Sequence, residues 1–516
     1  MNVDQINKLS GFIEENLRSS QSAGLKFIDS GNLKSRLTNK QNHVIFGRRG
    51  AGKSTFVSSL KEDNKNFISV YVDLDIYKDI SFPNILIKVL AVILDELKKF
   101  ANTKIKFYRH PILWVRKNTF IRNLEEVEQQ LQEILDSADT EQKQVKTKTS
   151  NSIEIGTSAQ IGSEKANIKG SDTTKYGSEE EIQKTVAFDK LDFLKRHISQ
   201  FQSIFSEASK LCDNSPIFLT LDDFYFIPKI TQPEFIDFFH RLTKGTPLFL
   251  KVATIKHRSN LYLSGESYIG VEINHDIYPI DLDYTLDRLS DLEDFMKRLL
   301  QRAVDDSKAE INIDEVFTPN GFRQLCIASG GVPRDFLSLF VNLLEKLGRK
   351  VAQGNVDRID MVDVRDSAIS AIQSKRNSLN IDSADDKHIL EEYLNHIKDL
   401  IYQGKRTNIF LASKDDLEQN KQARQAIREL VDLRFLHLVE SNTSSAPSDG
   451  KVYEAYMIDV GLYDNSRPRN FKQIEPGVTD ENFRKDNIRG CPKLNLNHLE
   501  SEVSKVFSQQ KLLLTD

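Results

Sequence analysis

The chain has 516 residues, of which 28% are charged and 39% hydrophobic, proportions that are ordinary for a protein of several domains. Its formal net charge is -4, which excludes a nucleic-acid footprint spread over the whole surface, so any such contact requires a local patch. The three cysteines are far apart without metal-ligand spacing, and no segment has the composition of a signal peptide or a membrane span, so we expect a cytoplasmic location.

A glycine-rich run, FGRRGAGKS, occupies residues 46–54. The spacing Gly47-x-x-x-x-Gly52-Lys53-Ser54 is that of a phosphate-binding loop. The apolar HVIF precedes the run and STFVSSLKE follows it, so the context is strand, turn and helix, in which backbone N–H groups converge on phosphate oxygens. The sequence therefore predicts an ATP site formed by Gly47, Arg48, Arg49, Gly50, Ala51, Gly52, Lys53, Ser54 and Thr55.

A second strand is predicted at residues 66–77, followed by an amphipathic helix at 81–100. From Thr140 to Glu181 the chain becomes rich in Lys, Ser, Thr, Gly and Glu. Short alternations such as SIEIG predict polar strands in an inserted β-hairpin or flexible arm. Whether this insertion contacts a partner or is only solvated stays open.

Two carboxylates end the next apolar strand, in which IFLTL runs into Asp222 and Asp223. Open α/β sheets bind ligands at the carboxyl edge of such strands, and the strand and helix patterns that follow predict a parallel sheet. Mg²⁺ bound to a nucleotide needs a loop hydroxyl and a strand carboxylate, which Ser54 and Asp222 supply. Asp223 is then placed to orient or deprotonate water.

The run IASGGVPRDFLSLF places Gly331-x-Pro333-Arg334 at a predicted helix start. With the loop and the carboxylate strand, it resembles the AAA+ ATPases, most closely the origin-recognition and initiator clade and its bacterial stand-alone relatives. The resemblance implies a helical lid whose Sensor 2 arginine, Arg334, reaches the γ-phosphate, and a Sensor 1 residue, Thr254. It also implies a homo-oligomer in which an arginine finger acts on the neighbouring subunit's nucleotide, at Arg241 or, as the alternative, Arg258.

The C-terminal part has the predicted order of a winged helix: helix, short strand, two helices, and two strands around a Ser, Pro and Gly rich tip. Lys421, Arg424 and Arg428 are spaced by three and four residues, so they share one face of the second short helix. This pattern predicts contacts to the phosphates of duplex DNA. A module that contacts only proteins is the alternative.

These features together predict an α/β fold, with a parallel P-loop NTPase sheet and a helical lid followed by a winged helix. The expected bounds are an N-terminal extension (1–42), an AAA+ nucleotide-binding domain (43–290) with an insertion at about 140–181, a lid (291–378), a winged helix (379–465) and a tail (466–516).

The expected function is that of an AAA+ ATPase that uses ATP and Mg²⁺ to switch assembly on nucleic acid or partner proteins, in a setting such as genome defence. Its expected catalytic residues are Lys53, Asp223, Arg241, Thr254 and Arg334. Most AAA+ members end the carboxylate strand in Asp-Glu, whereas Asp-Asp also occurs in STAND signalling NTPases. The alternative is therefore a slow STAND-like switch that recruits an effector without binding DNA. A small-molecule kinase is disfavoured because it has no use for the lid and winged helix, and an inactive adaptor because the site residues are intact.

Overall fold

The structure is a computed structural model. It describes residues 2–17, 25–29, 31–62, 67–104, 111–158, 190–265, 268–354, 357–382, 387–464, 467–478 and 486–513.

A parallel sheet forms the centre of the amino-terminal half. Its strands and a small hairpin are β1 (His43–Phe46), β2 (Ile68–Asp73), β3 (Ile217–Asp222), β4 (Leu248–Thr254), β5 (Tyr262–Leu263), β6 (Ile269–Gly270) and β7 (Tyr278–Asp281). The sheet has the order β2-β3-β4-β1-β7, and each neighbouring pair in it is parallel. β3 is buried along its whole length because both of its faces are covered. With the glycine loop leaving β1, this is the α/β P-loop NTPase fold.

Helices cover both faces of this sheet. The helices of this half are α1 (Val3–Asn16), α2 (Leu33–Leu37), α3 (Lys53–Glu62), α4 (Asn84–Lys104), α5 (Pro111–Ser158), α6 (Ile198–Leu211) and α7 (Gln232–Thr243). One face packs its alternate strand residues against α4 to α7, and the other packs against α2 and α3. The sheet therefore lies between two layers of helices, and the predicted parallel sheet is confirmed.

A helical lid follows the sheet, formed by α8 (Leu289–Ser307), α9 (Ile313–Val316), α10 (Pro319–Ala328), α11 (Pro333–Ala352) and α12 (Met361–Asp382). The apolar face of α1, with Ile6, Leu9 and Ile13, is buried in the same hydrophobic cluster as the lid. Part of the predicted N-terminal extension is thus built into the lid core.

The C-terminal module is a small mixed unit. Its elements are α13 (Lys387–Ile397), β8 (Ile409–Ser413), α14 (Lys414–Gln419), α15 (Lys421–Asp432), β9 (Leu436–Thr443), β10 (Tyr453–Ile458), α16 (Asp486–Arg489) and α17 (Leu496–Leu513). The strands form an antiparallel sheet in the order β8-β10-β9. The predicted tail is part of this unit, because Leu494 and Pro492 bond the backbone of Leu411 in β8 and α17 packs on α13.

The predicted hairpin insertion differs from the structure. α5 extends from Pro111 to Ser158, so SIEIG (152–156) lies in a helix and not in a strand. Helix propagation adds one hydrogen bond per residue once a nucleus exists, and the Gln, Lys and Glu of this stretch are good helix formers. The rest of the predicted insertion, residues 159–181, lies outside the described residues.

A buried His–Lys pair lies between the adjacent strands β1 and β4. His43 and Lys251 are opposite each other, with Lys251 Nζ 3.0 Å from His43 Nδ1. The ammonium also donates to the carbonyls of Asn39 and Gln41, both at 2.9 Å. Burial lowers the pKa of Lys251 to about 7, and burial together with the Lys251 charge lowers the pKa of His43 to about 3.

We expect His43 to make the fold acid-sensitive. Its folded pKa is below its unfolded value of 6.5, so the unfolded chain binds more protons between the two values, and stability falls as pH drops through that window. At about 1.4 kcal/mol per pH unit, the loss from this group between pH 6.5 and 4 is up to about 3 kcal/mol. Urea denaturation should show a smaller acid-induced loss for His43→Gln than for wild type. The exposed His275→Gln is the control, and equal losses in wild type and His43→Gln would contradict the assignment.

Candidate nucleotide site

The carboxyl edge of the sheet brings the predicted site residues together. Phe46, the last residue of β1, is in register with Thr254, and Asp222 is in register with Asp73. The N–H of Gly47 donates to the Thr254 carbonyl at 3.3 Å, which fixes the start of the phosphate loop on β4. The loop, the carboxylate strand and the predicted Sensor 1 strand therefore end side by side.

Lys53 is the first residue of α3 and is only 5% exposed. Its Nζ donates to the carbonyls of Gly47 at 3.0 Å and Arg48 at 3.3 Å. Burial lowers the pKa of the ammonium, and the charges of Asp223 and Asp222 oppose that shift. The lysine is thus held inside its own loop, next to both carboxylates.

Arg48 anchors the loop to the end of β7. Its N–H donates to the Asp283 carboxylate at 2.9 Å, its Nε reaches the same group at 3.3 Å, and its Nη2 donates to the Tyr284 carbonyl at 2.7 Å. Arg48 was predicted to bind the nucleotide, whereas Asp283 was not predicted as a site residue. The signal that could have identified Asp283 is its position just after the edge strand β7.

Asp222 ends β3 and is 1% exposed. Its Oδ2 accepts from Tyr71 Oη at 2.7 Å and its Oδ1 accepts from the N–H of Asp223 at 2.9 Å. These bonds orient the carboxylate, and each oxygen keeps a lone pair for a further ligand. A carboxylate and the hydroxyl of Ser54 are the hard oxygen donors that suit Mg²⁺. The described residues contain no group of three or more His, Cys, Asp or Glu placed to hold a metal by themselves, so phosphate oxygens and water would complete the shell.

Asp223 adopts a left-handed backbone conformation, with φ of 53°. Aspartate tolerates this region better than most residues. The turn ends β3 and starts the short 3₁₀ helix Phe224–Phe226. Burial, and then the charge of Asp222, raise the pKa of Asp223 to about 7. A carboxyl with a pKa near neutrality is suited to proton transfer.

Arg334 lies on the phosphate loop. It follows Pro333 in the first turn of α11, and its N–H donates to the Gly50 carbonyl at 3.3 Å. Gly50 has φ of +87°, and a Cβ added there would be 2.8 Å from Arg334 Cβ, so only glycine permits this approach. Burial, and then the charges of Arg49 and Arg434, lower the pKa of Arg334. The structure thus brings the predicted Sensor 2 arginine to the loop.

Thr254 and the two arginine-finger candidates occupy different places. Thr254 is fully buried, and its hydroxyl is hydrogen-bonded to Ser259. Arg258 Cζ is 5.9 Å from the centroid of the Tyr225 ring, and Lys53 Nζ is 5.8 Å from the same centroid, so Arg258 lies in its own chain's site. Arg241 is in the last turn of α7, which leads back to the start of β4, and is bonded to Asp237 at 2.7 Å. The structure does not bring Arg241 to the phosphate loop, and an action on a neighbouring subunit stays a prediction.

The C-terminal module docks on this edge through α15. Lys229 Nζ bonds Glu429 Oε1 at 2.9 Å, and the N–H of His257 donates to Asp432 Oδ2 at 3.2 Å. Gln425 Nε2 also donates to the His257 carbonyl at 3.4 Å. The loop after β4, which carries Arg258, is therefore covered by α15. Sequence patterns give no signal for such a contact because its partners are far apart in the chain.

The predicted cationic stripe of α15 is not an open face. Lys421 is exposed and Arg424 is half-buried. Arg428 donates through Nη2 to both oxygens of Glu454 on β10, at 3.0 and 3.1 Å. A carboxylate on the neighbouring strand thus binds the third side chain, and contacts of the three residues to DNA phosphates stay a prediction.

A buried polar cluster joins the lid to the C-terminal module. We call this cluster the latch; its members are Asp335, Lys375, Arg434, His437 and Asp459. Arg434 bonds Asp335, the residue after Arg334. Lys375 on α12 is 3.6 Å from Asp335 and 2.7 Å from Asp459, which also accepts from His437 at 2.8 Å.

A second lid contact lies beside the latch. The ring of His437 packs on Gly330 so closely that a Cβ there would be 2.1 Å from it. Gly330 precedes Gly331-x-Pro333-Arg334, so the lid segment that carries Arg334 touches the C-terminal module directly.

In the parts of the chain that the structure describes, no helix is long and apolar enough to cross a membrane. No family model matches the sequence, and no curated protein does. Among solved structures, the chain is similar to one in Drosophila ORC bound to DNA, with 9% identity over 88% of this chain and 89% of that one and a TM-score of 0.32. It is also similar to Aeropyrum pernix ORC1 in complex with DNA, with 11% identity over 88% of each chain and a TM-score of 0.29.

A third match is a Walker-type ATPase of Pyrococcus abyssi, with 12% identity over 88% of this chain and 93% of that one and a TM-score of 0.35. These TM-scores are too low to add to what the strand order itself shows. The order of the sheet, the loop after β1 and the carboxylates after β3 make the amino-terminal half a P-loop NTPase fold.

Proposed function

We propose that this protein is an ATP-binding and ATP-hydrolysing switch of the AAA+ type. One observation carries the proposal: Lys53, the Asp222–Asp223 pair and Arg334 converge on one edge of the sheet. Each supplies a charge that phosphoryl transfer needs, since catalysis in this class is positioning plus electrostatic stabilisation. Asp223 would act on the attacking water, and Arg334 would meet the γ-phosphate. Ser54 and Asp222 would hold Mg²⁺, which neutralises phosphate charge when bound.

The docked C-terminal module supports a switching role. α15 covers the loop after β4, and the latch begins one residue after Arg334. A change at the γ-phosphate position would therefore act on side chains that also hold the C-terminal module. A ligand that favours the separated arrangement of this cluster over the bonded one would shift the population between them.

The proposed switch has two candidate targets, duplex DNA and a protein effector. Exposed Lys421 and half-buried Arg424 are available to contact duplex DNA, as they would in a winged helix. In contrast, the Arg428–Glu454 pair and the docked face of α15 favour a protein effector, as in the STAND-like alternative. Homo-oligomerisation and a setting in genome defence rest on the resemblance alone. Measuring the size of the protein with and without ATP and duplex DNA separates these targets. An ATP-dependent complex with DNA supports DNA as the target, whereas the absence of such a complex supports a protein effector.

Replacing Lys53 by alanine tests the nucleotide site. We expect Lys53→Ala to abolish measurable ATP binding, because the β- and γ-phosphates lose the buried ammonium at the end of the loop. Calorimetric titration with Mg-ATP measures the affinity, and a thermal melt checks that the fold is intact.

The exposed Lys297→Ala is the matched control for Lys53→Ala, since Lys297 lies on the lid and bonds the exposed Asp314. It should bind ATP like wild type. Equal affinity in wild type and Lys53→Ala would rule out this site.

A further inference from the structure

A pair of aromatic side chains lies beside the phosphate loop. It consists of Tyr225 and Phe226, whose ring centroids are 4.5 Å apart. The left-handed turn at Asp223 precedes this segment, and Phe224 is fully buried and anchors the segment in the core. Tyr225 is half-buried and its ring is directed towards the loop.

Two cations of the site share the Tyr225 ring. Lys53 Nζ is 5.8 Å from the ring centroid and Arg258 Cζ is 5.9 Å from it, both within the range of a cation–π contact. The ring is thus the common neighbour of a loop cation and a cation from the segment after β4.

We propose that Tyr225 is a positioning residue that holds Lys53 and Arg258 towards the γ-phosphate of ATP bound to the same chain. This inference rests on the proposed ATPase function. A carboxylate could hold the two cations as well, but it would repel the phosphate. A neutral π face attracts cations and leaves their charge available to the ligand. Arg258 accordingly acts within its own subunit rather than as a finger for the neighbour.

The proposal predicts a defect that discriminates between nucleotides. In Tyr225→Leu, which keeps an apolar side chain but removes the ring, we expect ATP affinity to fall by about threefold to thirtyfold. ADP lacks the γ-phosphate, so its affinity should fall by no more than about twofold, since Lys53 alone still meets the β-phosphate. Tyr225→Phe keeps the ring, so its ATP affinity should lie within about twofold of the wild-type affinity.

A double-mutant cycle with Arg258→Ala tests the connection between the two residues. If Tyr225 acts partly through Arg258, the combined loss of ATP affinity is smaller than the product of the single losses. Tyr262→Leu, which changes an exposed aromatic residue on the β5–β6 hairpin, is the control and should bind both nucleotides like wild type. Thermal melts confirm that each variant is folded.

The inference would be overturned by equal losses for ATP and ADP in Tyr225→Leu, by weak ATP binding in Tyr225→Phe, or by multiplicative losses in the cycle. A folded Tyr225→Leu that binds ATP like wild type would overturn it as well. None of these results touches the proposed function, which fails instead if wild-type protein does not bind ATP.

Discussion

Asp223→Asn is expected to bind ATP with wild-type affinity and to hydrolyse it about 10²- to 10⁴-fold more slowly, the usual contribution of a positioned base. Asparagine has nearly the same shape and tolerates the left-handed backbone at this position, where φ is 53°. It has no carboxylate to take a proton from water. Phosphate release under single-turnover conditions, together with ATP titration, separates the chemical step from binding.

Asp213→Asn is a closely matched control for this substitution. Asp213 also has positive φ, 55°, but it is exposed in the turn before β3, away from the carboxyl edge of the sheet. Its replacement should leave hydrolysis unchanged. A loss of less than tenfold in Asp223→Asn would favour the slow signalling switch over an enzyme with a dedicated base.

The nucleotide edge could be predicted from sequence because its signals are local. Gly47 to Ser54 are contiguous, and Asp222 and Asp223 directly follow their own apolar strand. The parallel sheet then brings these segments together, because the carboxyl ends of parallel strands meet at one edge. Arg334 needed the family resemblance, since its signal is only a glycine turn and a proline at a helix start.

Contacts between distant segments were beyond the sequence. Asp335 and Arg434 are 99 residues apart, and nothing in either segment marks the other as its partner. Arg428 fits a phosphate-binding row by its spacing alone. The structure is needed to show that Glu454 on β10 accepts a hydrogen bond from it. The continuation of α5 beyond residue 140 was missed for a different reason. Alternating residues in SIEIG resemble a strand, whereas an established helix continues through polar sequence.

Breaking the latch should be strongly destabilising. Asp335 and Arg434 have side chains that are 11% and 8% exposed. Arg434→Met removes one partner of a buried pair and leaves Asp335 with the more distant Lys375, at 3.6 Å. Breaking a buried pair costs about 3–5 kcal/mol in typical cases. Replacing both partners, as in Arg434→Met with Asp335→Leu, removes both desolvated charges and should recover part of the loss. Urea denaturation measures the free energy of unfolding in each variant.

The matched control for the latch is Lys297→Met. Lys297 and Asp314 form an ion pair on the same lid, but their side chains are 55% and 72% exposed, so the loss should stay within about 1 kcal/mol. If Arg434→Met is as mild as this control, the latch does not hold the C-terminal module. Hydrogen exchange then tests the switch itself: in wild type the amides of β9 and β10 should exchange at different rates with ATP and with ADP. That difference should shrink in Arg434→Met, because the lid turn that carries Arg334 would lose the Asp335–Arg434 pair that ties it to the C-terminal module.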